Sequence, residues 1–153
     1  MGTDTPSNDF KSLMIQIVDT CYQENILVSP KIEFTTTMEA ESIKYIRNCF
    51  LATKIGFFNE VHALCEGVGV DFDVVRSVAT LDTRIGSSHS HVPGHDGRRG
   101  YGGTCFPKDM ASLLHQFSTH AVPSPVLSAV QQRNLMIDRP EKDWTEDKGR
   151  AVV

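Results

Sequence analysis

A long stretch without proline, residues 38–66, constrains the fold of this chain more than any other feature. Its apolar residues occupy several faces of a helix, and only Gly56 interrupts it. At a rise of roughly 1.5 Å per residue, such a helix would be about 40 Å long. Thr36 or Thr37 is expected to cap it, with Glu39 in the first turn, where the helix dipole favours negative charge. Because so much apolar surface must be covered, we expect this helix to hold a homodimer together.

The other patterns also favour helices. Apolar spacing and capping residues predict helices over 10–21, 71–82, 107–118 and 125–138. The segment NILVSPKIEFTTT is rich in β-branched residues, but Pro30 permits only one or two short strands there. We therefore predict a mainly α fold with a short α/β segment at the N-terminus.

Composition argues against several classes of protein. Lys and Arg number 15 against 19 Asp and Glu, giving a net charge of −4, so no basic nucleic-acid surface is indicated. No apolar run approaches the roughly 20 residues needed to cross a bilayer, and the polar N-terminus lacks the apolar core of a signal peptide. The 4 cysteines show no CxxC spacing, so reduced thiols are expected. We predict a cytoplasmic protein with neither a membrane nor a nucleic acid as partner.

The segment GYGGTCFPKD carries the strongest chemical signal. Cys105 follows Gly102 and Gly103 at the predicted start of a helix, where free backbone N–H groups and the helix dipole favour a thiolate. Lys108 adds a positive charge, and Asp109 lies one turn after the cysteine on nearly the same face. A lone cysteine is more often only a small apolar residue. These neighbours favour a nucleophile instead.

Lys44 and Asn48 lie four residues apart in the long predicted helix and so share one face. A lysine and a carboxamide on an apolar helix can relay protons or stabilise an oxyanion. The spacing alone still favours a solvated stripe.

Residues 87–103 are rich in glycine, histidine and serine and predict a loop. His89, His91 and His95 are ligand types that transition metals prefer. The loop has neither a cysteine pair nor an HExxH helix, so we predict no metal site. Its glycines do not form a GxGxxG motif between a strand and a helix, so they do not indicate a dinucleotide site.

Three segments together resemble the UDP-glucose/GDP-mannose dehydrogenase family: AESIKYIRNCFLATKIGFFNEVHALCEGVGVD, LDTRIG and VPGHDGRRGYGGTCFPKD. They occur in the family's order within a resemblance that covers about residues 10–138, and CFPKD is closest to the UDP-glucose 6-dehydrogenase branch. The resemblance implies a helical dimerisation domain like the C-terminal domain of 6-phosphogluconate dehydrogenase. It also implies an NAD-dependent, two-step oxidation of the C6 alcohol of a nucleotide-sugar to a carboxylate.

The resemblance also implies roles for individual residues. Cys105 matches the nucleophile that carries a thioester, and Asp109 matches an aspartate that assists water. Lys44 and Asn48 match a lysine and an amide that stabilise the oxyanion and move protons. The implied substrate contacts are Lys44, Asn48, Arg84 (to the substrate of the neighbouring subunit), Tyr101, Gly102, Gly103 and Phe106, and the implied cofactor contacts are Cys105 and Lys108.

The chain also departs from the family's pattern. Members have an N-terminal Rossmann domain for NAD, and residues 1–37 resemble only its end. Residues 38–138 resemble the helical dimerisation and catalytic-cysteine domain, and residues 139–153 read as a charged tail. We expect the main NAD-binding domain to be absent from this chain, which is then a fragment, a split enzyme completed by a separate chain that carries this domain, or a reduced homologue. The alternative is a catalytically silent dimerisation or nucleotide-sugar-binding module.

Overall fold

The computed structural model describes residues 6–146, which contain five α-helices and no β-strand. The helices are α1 (Asn8–Gln23), α2 (Thr37–Val68), α3 (Phe72–Ala79), α4 (Cys105–Thr119) and α5 (Pro125–Arg133), followed by a π-helical turn (Asn134–Asp138) and a 3-10 turn (Asp143–Thr145). The prediction of a mainly α fold is confirmed. Within the described residues, no helix is long and apolar enough to cross a bilayer.

The prediction of a short α/β segment at the N-terminus is wrong in one respect, because its expected β-strands are not formed. The chain between α1 and α2 forms no strand, and Ile26, Leu27 and Val28 are all exposed. The preference of β-branched residues for strands reflects packing on a sheet. Within residues 6–146 there is no second strand with which this segment could pair.

The chain divides into two compact units, Met1–Lys44 and Tyr45–Val153. In the first unit, the hydroxyl of Ser7 caps α1 by accepting a hydrogen bond from the N–H of Phe10 at 3.2 Å. This cap satisfies one of the N–H groups that the first turn of a helix leaves without a partner.

The start of α2, also in the first unit, is fixed by a reciprocal capping box. The Thr36 hydroxyl accepts from the N–H of Glu39 at 3.2 Å, and the Glu39 carboxylate accepts from the N–H of Thr36 at 2.7 Å. These bonds hold the pKa of Glu39 below its ordinary value. The predicted cap at Thr36 is confirmed, and its mechanism is the one that this sequence spacing favours.

The end of α2 and the start of α3 follow the sequence signals closely. Gly69, just beyond α2, has a φ of 71°, in the left-handed region that glycine adopts without a Cβ penalty. Asp71 then caps α3 by accepting from the N–H groups of Asp73 at 2.9 Å and Val74 at 3.2 Å. Each helix boundary is thus set by a residue type that favours it locally.

In the second unit, α2 contributes buried residues to two apolar clusters. One consists of Cys49, Ala52, Tyr101 and Met110, and the other of Phe58, Cys65, Phe72 and Val92. Tyr101 and Val92 belong to the long segment between α3 and α4, so this segment is packed against the core at two places. That packing holds the glycine-rich part of the chain where α4 begins.

Candidate active site

The glycine loop that precedes α4 is anchored by two buried asparagines. The Asn134 side chain accepts from the N–H of Tyr101 at 2.8 Å and donates to its carbonyl at 2.9 Å. The Asn59 side chain accepts from the N–H of Gly100 at 3.2 Å and donates to the carbonyl of Ile55 at 2.9 Å. The loop backbone is therefore held by two side chains in the way that a neighbouring strand would hold it.

Two glycines of this loop lie where no side chain would fit. Gly100 has a φ of 66°, and a Cβ there would collide with the amide oxygen of Asn134. A Cβ on Gly102 would overlap the guanidinium of Arg139. These contacts explain in physical terms why glycine is needed at both positions.

Arg139 is 3% exposed and connects the glycine loop with two other segments. Its guanidinium donates to Asp96 at 2.6 Å and to the two oxygens of Asp143 at 2.6 and 2.7 Å. The hydrogen bonds from Arg139 hold the pKa of Asp143 below its ordinary value. One buried cation thus ties residues 96 and 143 to the loop at Gly102.

Cys105 is the first residue of α4 and is exposed. Thr104 precedes it at the capping position, and its side chain makes no capping hydrogen bond. Cys49 and Cys65, in contrast, are buried, and burial together with the charge of Asp109 raises the pKa of Cys49 to about 11. The fold therefore gives the Cys105 sulfur access to solvent at a helix N-terminus, as predicted, and encloses Cys49 and Cys65.

Asp109 lies one turn after Cys105 and is completely buried. Its two oxygens accept from the Asn48 amide at 2.6 Å and from the Lys108 ammonium at 2.6 Å. The bond to Asp109 raises the pKa of Lys108, whose side chain is more than half exposed. The structure thus brings together Asn48, Lys108 and Asp109, although the first is 61 positions from the last in sequence.

Two other predicted site residues, Lys44 and Arg84, take no part in the hydrogen bonds described for Asn48, Lys108 and Asp109. Lys44 is exposed at the end of the first unit, one helical turn before Asn48. The Arg84 side chain is 88% exposed and forms an ion pair with Asp82 at 2.6 Å. The roles that the resemblance implies for Lys44 and Arg84 remain predictions.

A cavity of about 390 Å³ opens beside the glycine loop. The predicted residues that line it are Tyr101, Gly102, Gly103 and Phe106, together with His89, His91 and His95 of the histidine-rich loop. Within residues 6–146, no group of three or more His, Cys, Asp or Glu side chains is arranged to hold a metal ion. These histidines form part of the cavity wall.

His89 contacts Phe106, the aromatic side chain that follows Cys105. Its ring lies edge-on to Phe106 with centroids 5.7 Å apart. Burial, helped by the charges of Lys54 and His95, lowers the pKa of His89, so this imidazole is neutral at pH 7. The cavity wall next to Phe106 is therefore uncharged at that position.

Sequence reasoning missed several residues that build this site. Asn59 and Asn134 anchor the loop, and Arg139, Asp143 and Trp144 belong to the cavity wall. Nothing local to the charged segment after α5 distinguishes its residues from solvated ones. The available signal was the single tryptophan of the chain, because an isolated large aromatic in a polar segment usually packs against something.

Comparison with known proteins gives one consistent result. Residues 38–135 match the central domain of the UDP-glucose/GDP-mannose dehydrogenase family. The chain is 39% identical over 124 residues to a UDP-glucose 6-dehydrogenase of Rhizobium meliloti, an alignment that covers 80% of this chain and 26% of the relative. It is 46% identical over 96 residues to the UDP-glucose 6-dehydrogenase of Pseudomonas aeruginosa, covering 63% of this chain and 20% of the relative.

A third relative, UDP-glucose 6-dehydrogenase TuaD of Bacillus subtilis, is 40% identical over 123 residues, covering 77% of this chain and 26% of the relative. The chain thus spans about a quarter of the length of these curated relatives. The matched region contains the glycine loop, Cys105 and the Asn48–Asp109 pair.

Proposed function

Because the chain belongs to the UDP-glucose/GDP-mannose dehydrogenase family, we propose that it carries the nucleophilic-cysteine part of a UDP-glucose 6-dehydrogenase-type enzyme. The observation that supports this most strongly is the exposed thiol of Cys105 at the start of α4. It lies between an anchored glycine loop and a buried carboxylate, Asp109. The proposed substrate is a nucleotide-sugar whose C6 alcohol is oxidised in two steps to a carboxylate.

In the proposed chemistry, the Cys105 thiolate attacks the C6 aldehyde formed by the first oxidation. A C–S bond forms, the C=O π electrons move to oxygen, and the oxyanion takes a proton to give a thiohemiacetal. Loss of hydride from C6 together with the proton of the hydroxyl group in the second oxidation restores the C=O bond and leaves a thioester. Water then loses one proton as its oxygen adds to C6, the C–S bond breaks so that Cys105 leaves as a thiolate, and the new carboxylic acid releases the second proton.

Asp109 serves this chemistry by positioning other groups. It has no exposed surface and its oxygens already accept from Asn48 and Lys108, so it is poorly placed to contact a substrate itself. We propose that it orients the Asn48 amide and keeps Lys108 protonated beside Cys105. Donors held in this way can stabilise an oxyanion without reorganising during the reaction. Lys44, one turn before Asn48 on α2, is proposed to add a further donor.

NAD, when bound, would accept the hydride in each oxidation. A dinucleotide pyrophosphate is usually held by a strand, a glycine-rich turn and a helix N-terminus. Residues 6–146 contain no strand and hence no such unit, so they do not fit the whole cofactor. We propose that NAD is bound mainly by a domain outside these residues, and that Cys105 and Lys108 lie near it.

We also propose that the chain forms a homodimer through α2. Phe50, Phe57 and Leu64 recur every seven residues on this helix and are 65%, 59% and 63% exposed. A seven-residue repeat of large apolar side chains forms a stripe that a second helix can cover. Exposed apolar stripes of this kind mark interaction surfaces.

Iodoacetamide labelling followed by peptide mass spectrometry tests the role of Cys105. We expect Cys105 to be alkylated first at pH 7 and faster than free glutathione, because its sulfur is exposed at a helix N-terminus near the Lys108 ammonium, whereas Cys49 and Cys65 are buried. Lys108→Ala should slow this reaction about threefold, the effect of one exposed charge. Lys31→Ala, which removes an exposed lysine that forms an ion pair with Glu33, should leave it unchanged.

Labelling of Cys105 no faster than glutathione, or equal effects of the two lysine substitutions, would contradict an activated thiol. The chain would then be better described as a catalytically silent dimerisation or nucleotide-sugar-binding module of this family.

A further inference from the structure

The residues after α5 that line the cavity are held in place by specific contacts. Arg139 is buried, its guanidinium packs against Gly102, and its two bonds to Asp143 fix the 3-10 turn that carries Trp144. Trp144 is half-buried and lines the same cavity as Gly102 and Phe106. The position of its indole is therefore tied to the glycine loop through one side chain.

The charges in this wall balance one another. Arg139 pairs with Asp96 at 2.6 Å, and Arg98 pairs with Asp143 at 3.0 Å. A phosphate bound here would have to break these ion pairs, which is costly for the buried Arg139. An uncharged ligand with many hydroxyl groups can instead share hydrogen bonds with the same carboxylates and guanidinium groups.

The apolar part of the wall is aromatic. Trp144, Phe106 and Tyr101 line a cavity of about 390 Å³, a size suited to a small ligand. The faces of aromatic rings offer a flat apolar surface, and the C–H groups of a pyranose ring form a matching one. Hydrogen-bonding groups whose charges are already paired, combined with aromatic side chains, suit an uncharged hexose better than an anionic pyrophosphate.

We propose that Trp144 is the platform on which the hexose ring of the nucleotide-sugar stacks, and that Arg139 is the residue that positions this platform against the glycine loop. The inference rests on the proposed function for the identity of the sugar. It adds the segment after α5 to the substrate site, a role that neither motif nor resemblance assigned to it.

The fluorescence of Trp144 tests the proposal directly, because it is the only tryptophan in the chain. Titration with UDP-glucose should change its emission, and titration with UDP, which lacks the hexose, should not. By calorimetry, Trp144→Leu should weaken UDP-glucose binding about tenfold, and Trp144→Phe, which retains a ring, about threefold. Tyr22→Leu, at an exposed aromatic of α1, is the matched control and should bind normally.

The positioning role of Arg139 has its own readout. Arg139→Lys keeps the charge but replaces the planar guanidinium, which bonds Asp96 and both oxygens of Asp143, by a single ammonium without that geometry. We expect the emission of Trp144 in the free chain to shift to longer wavelength while the far-UV circular dichroism stays unchanged. Unchanged emission in this variant would overturn the positioning role.

Protection of Cys105 from iodoacetamide by UDP-glucose, measured in parallel, separates this inference from the proposed function. Protection without an emission change would overturn the platform and leave the role of Cys105 intact. An emission change without protection would support the platform and count against the role of Cys105. An equal emission change with UDP alone would overturn the hexose assignment. No response of either probe to millimolar UDP-glucose would overturn both.

Discussion

Replacing Asn134 by alanine should release the glycine loop and destabilise the second unit. The Asn134 side chain is 2% exposed and makes the two hydrogen bonds that satisfy the N–H and the carbonyl of Tyr101 in the interior. Each buried backbone group left without a partner costs about 1–3 kcal/mol, so the two together cost about 2–6 kcal/mol. This is a large fraction of the roughly 5–15 kcal/mol that stabilises an ordinary domain.

Urea denaturation followed by circular dichroism measures this loss. With a slope of about 2 kcal/mol per molar urea, the midpoint should fall by roughly 1–3 M. Amide hydrogen exchange at Tyr101 should accelerate in parallel. Asn134→Asp should also be destabilised, because a carboxylate accepts from the N–H of Tyr101 but repels its carbonyl oxygen. Gln132→Ala, an exposed amide two positions earlier, is the control. If Asn134→Ala unfolds at the same urea concentration as Gln132→Ala, the two bonds do not anchor the loop.

Two further predictions concern the cavity wall and the dimer. Because Arg139 lowers the pKa of Asp143, the bond between them stabilises the fold fully above the ordinary aspartate pKa of about 3.9, and this stabilisation is lost as the pH falls through the lower pKa of the folded state. The emission of Trp144 should change in this acid range, and an emission that stays constant from pH 5 to pH 2 would refute the coupling. Phe57→Asp should convert the proposed dimer into a monomer in sedimentation velocity, whereas Val28→Asp, at a fully exposed position, should not. A wild-type chain that is monomeric at micromolar concentration would contradict the proposed dimer interface on α2.

The local signals of the sequence predict the helices well. The capping box at Thr36 and Glu39 and the cap at Asp71 both act through residues within three positions, so spacing alone reveals them. The start of α4 at Cys105 follows from the glycines before it and Pro107 within its first turn. These features depend on the backbone of one short segment.

The contacts that build the site depend instead on distant residues. Asn134 meets Tyr101 across 33 positions, and Arg139 meets Asp96 across 43. Nothing in the local sequence around an asparagine or an arginine in a polar segment indicates which distant residue its side chain will contact. The failed strand prediction between α1 and α2 has the same cause, because β-branched residues form a strand only when another strand is available to pair with them.

The formation of a carbon–sulfur bond at Cys105 is the central claim, and carbon-13 NMR of a labelled aldehyde tests it most directly. The chain is mixed with the C6 aldehyde of UDP-glucose, labelled at C6, so that neither NAD nor a hydride-transfer step is needed. We predict a signal for a sulfur-bound C6 in the wild-type chain and in Cys21→Ser, and its loss in Cys105→Ala. If only the free aldehyde and its hydrate are seen, or if the sulfur-bound signal persists in Cys105→Ala, the claim that this fold presents Cys105 to a nucleotide-sugar is contradicted.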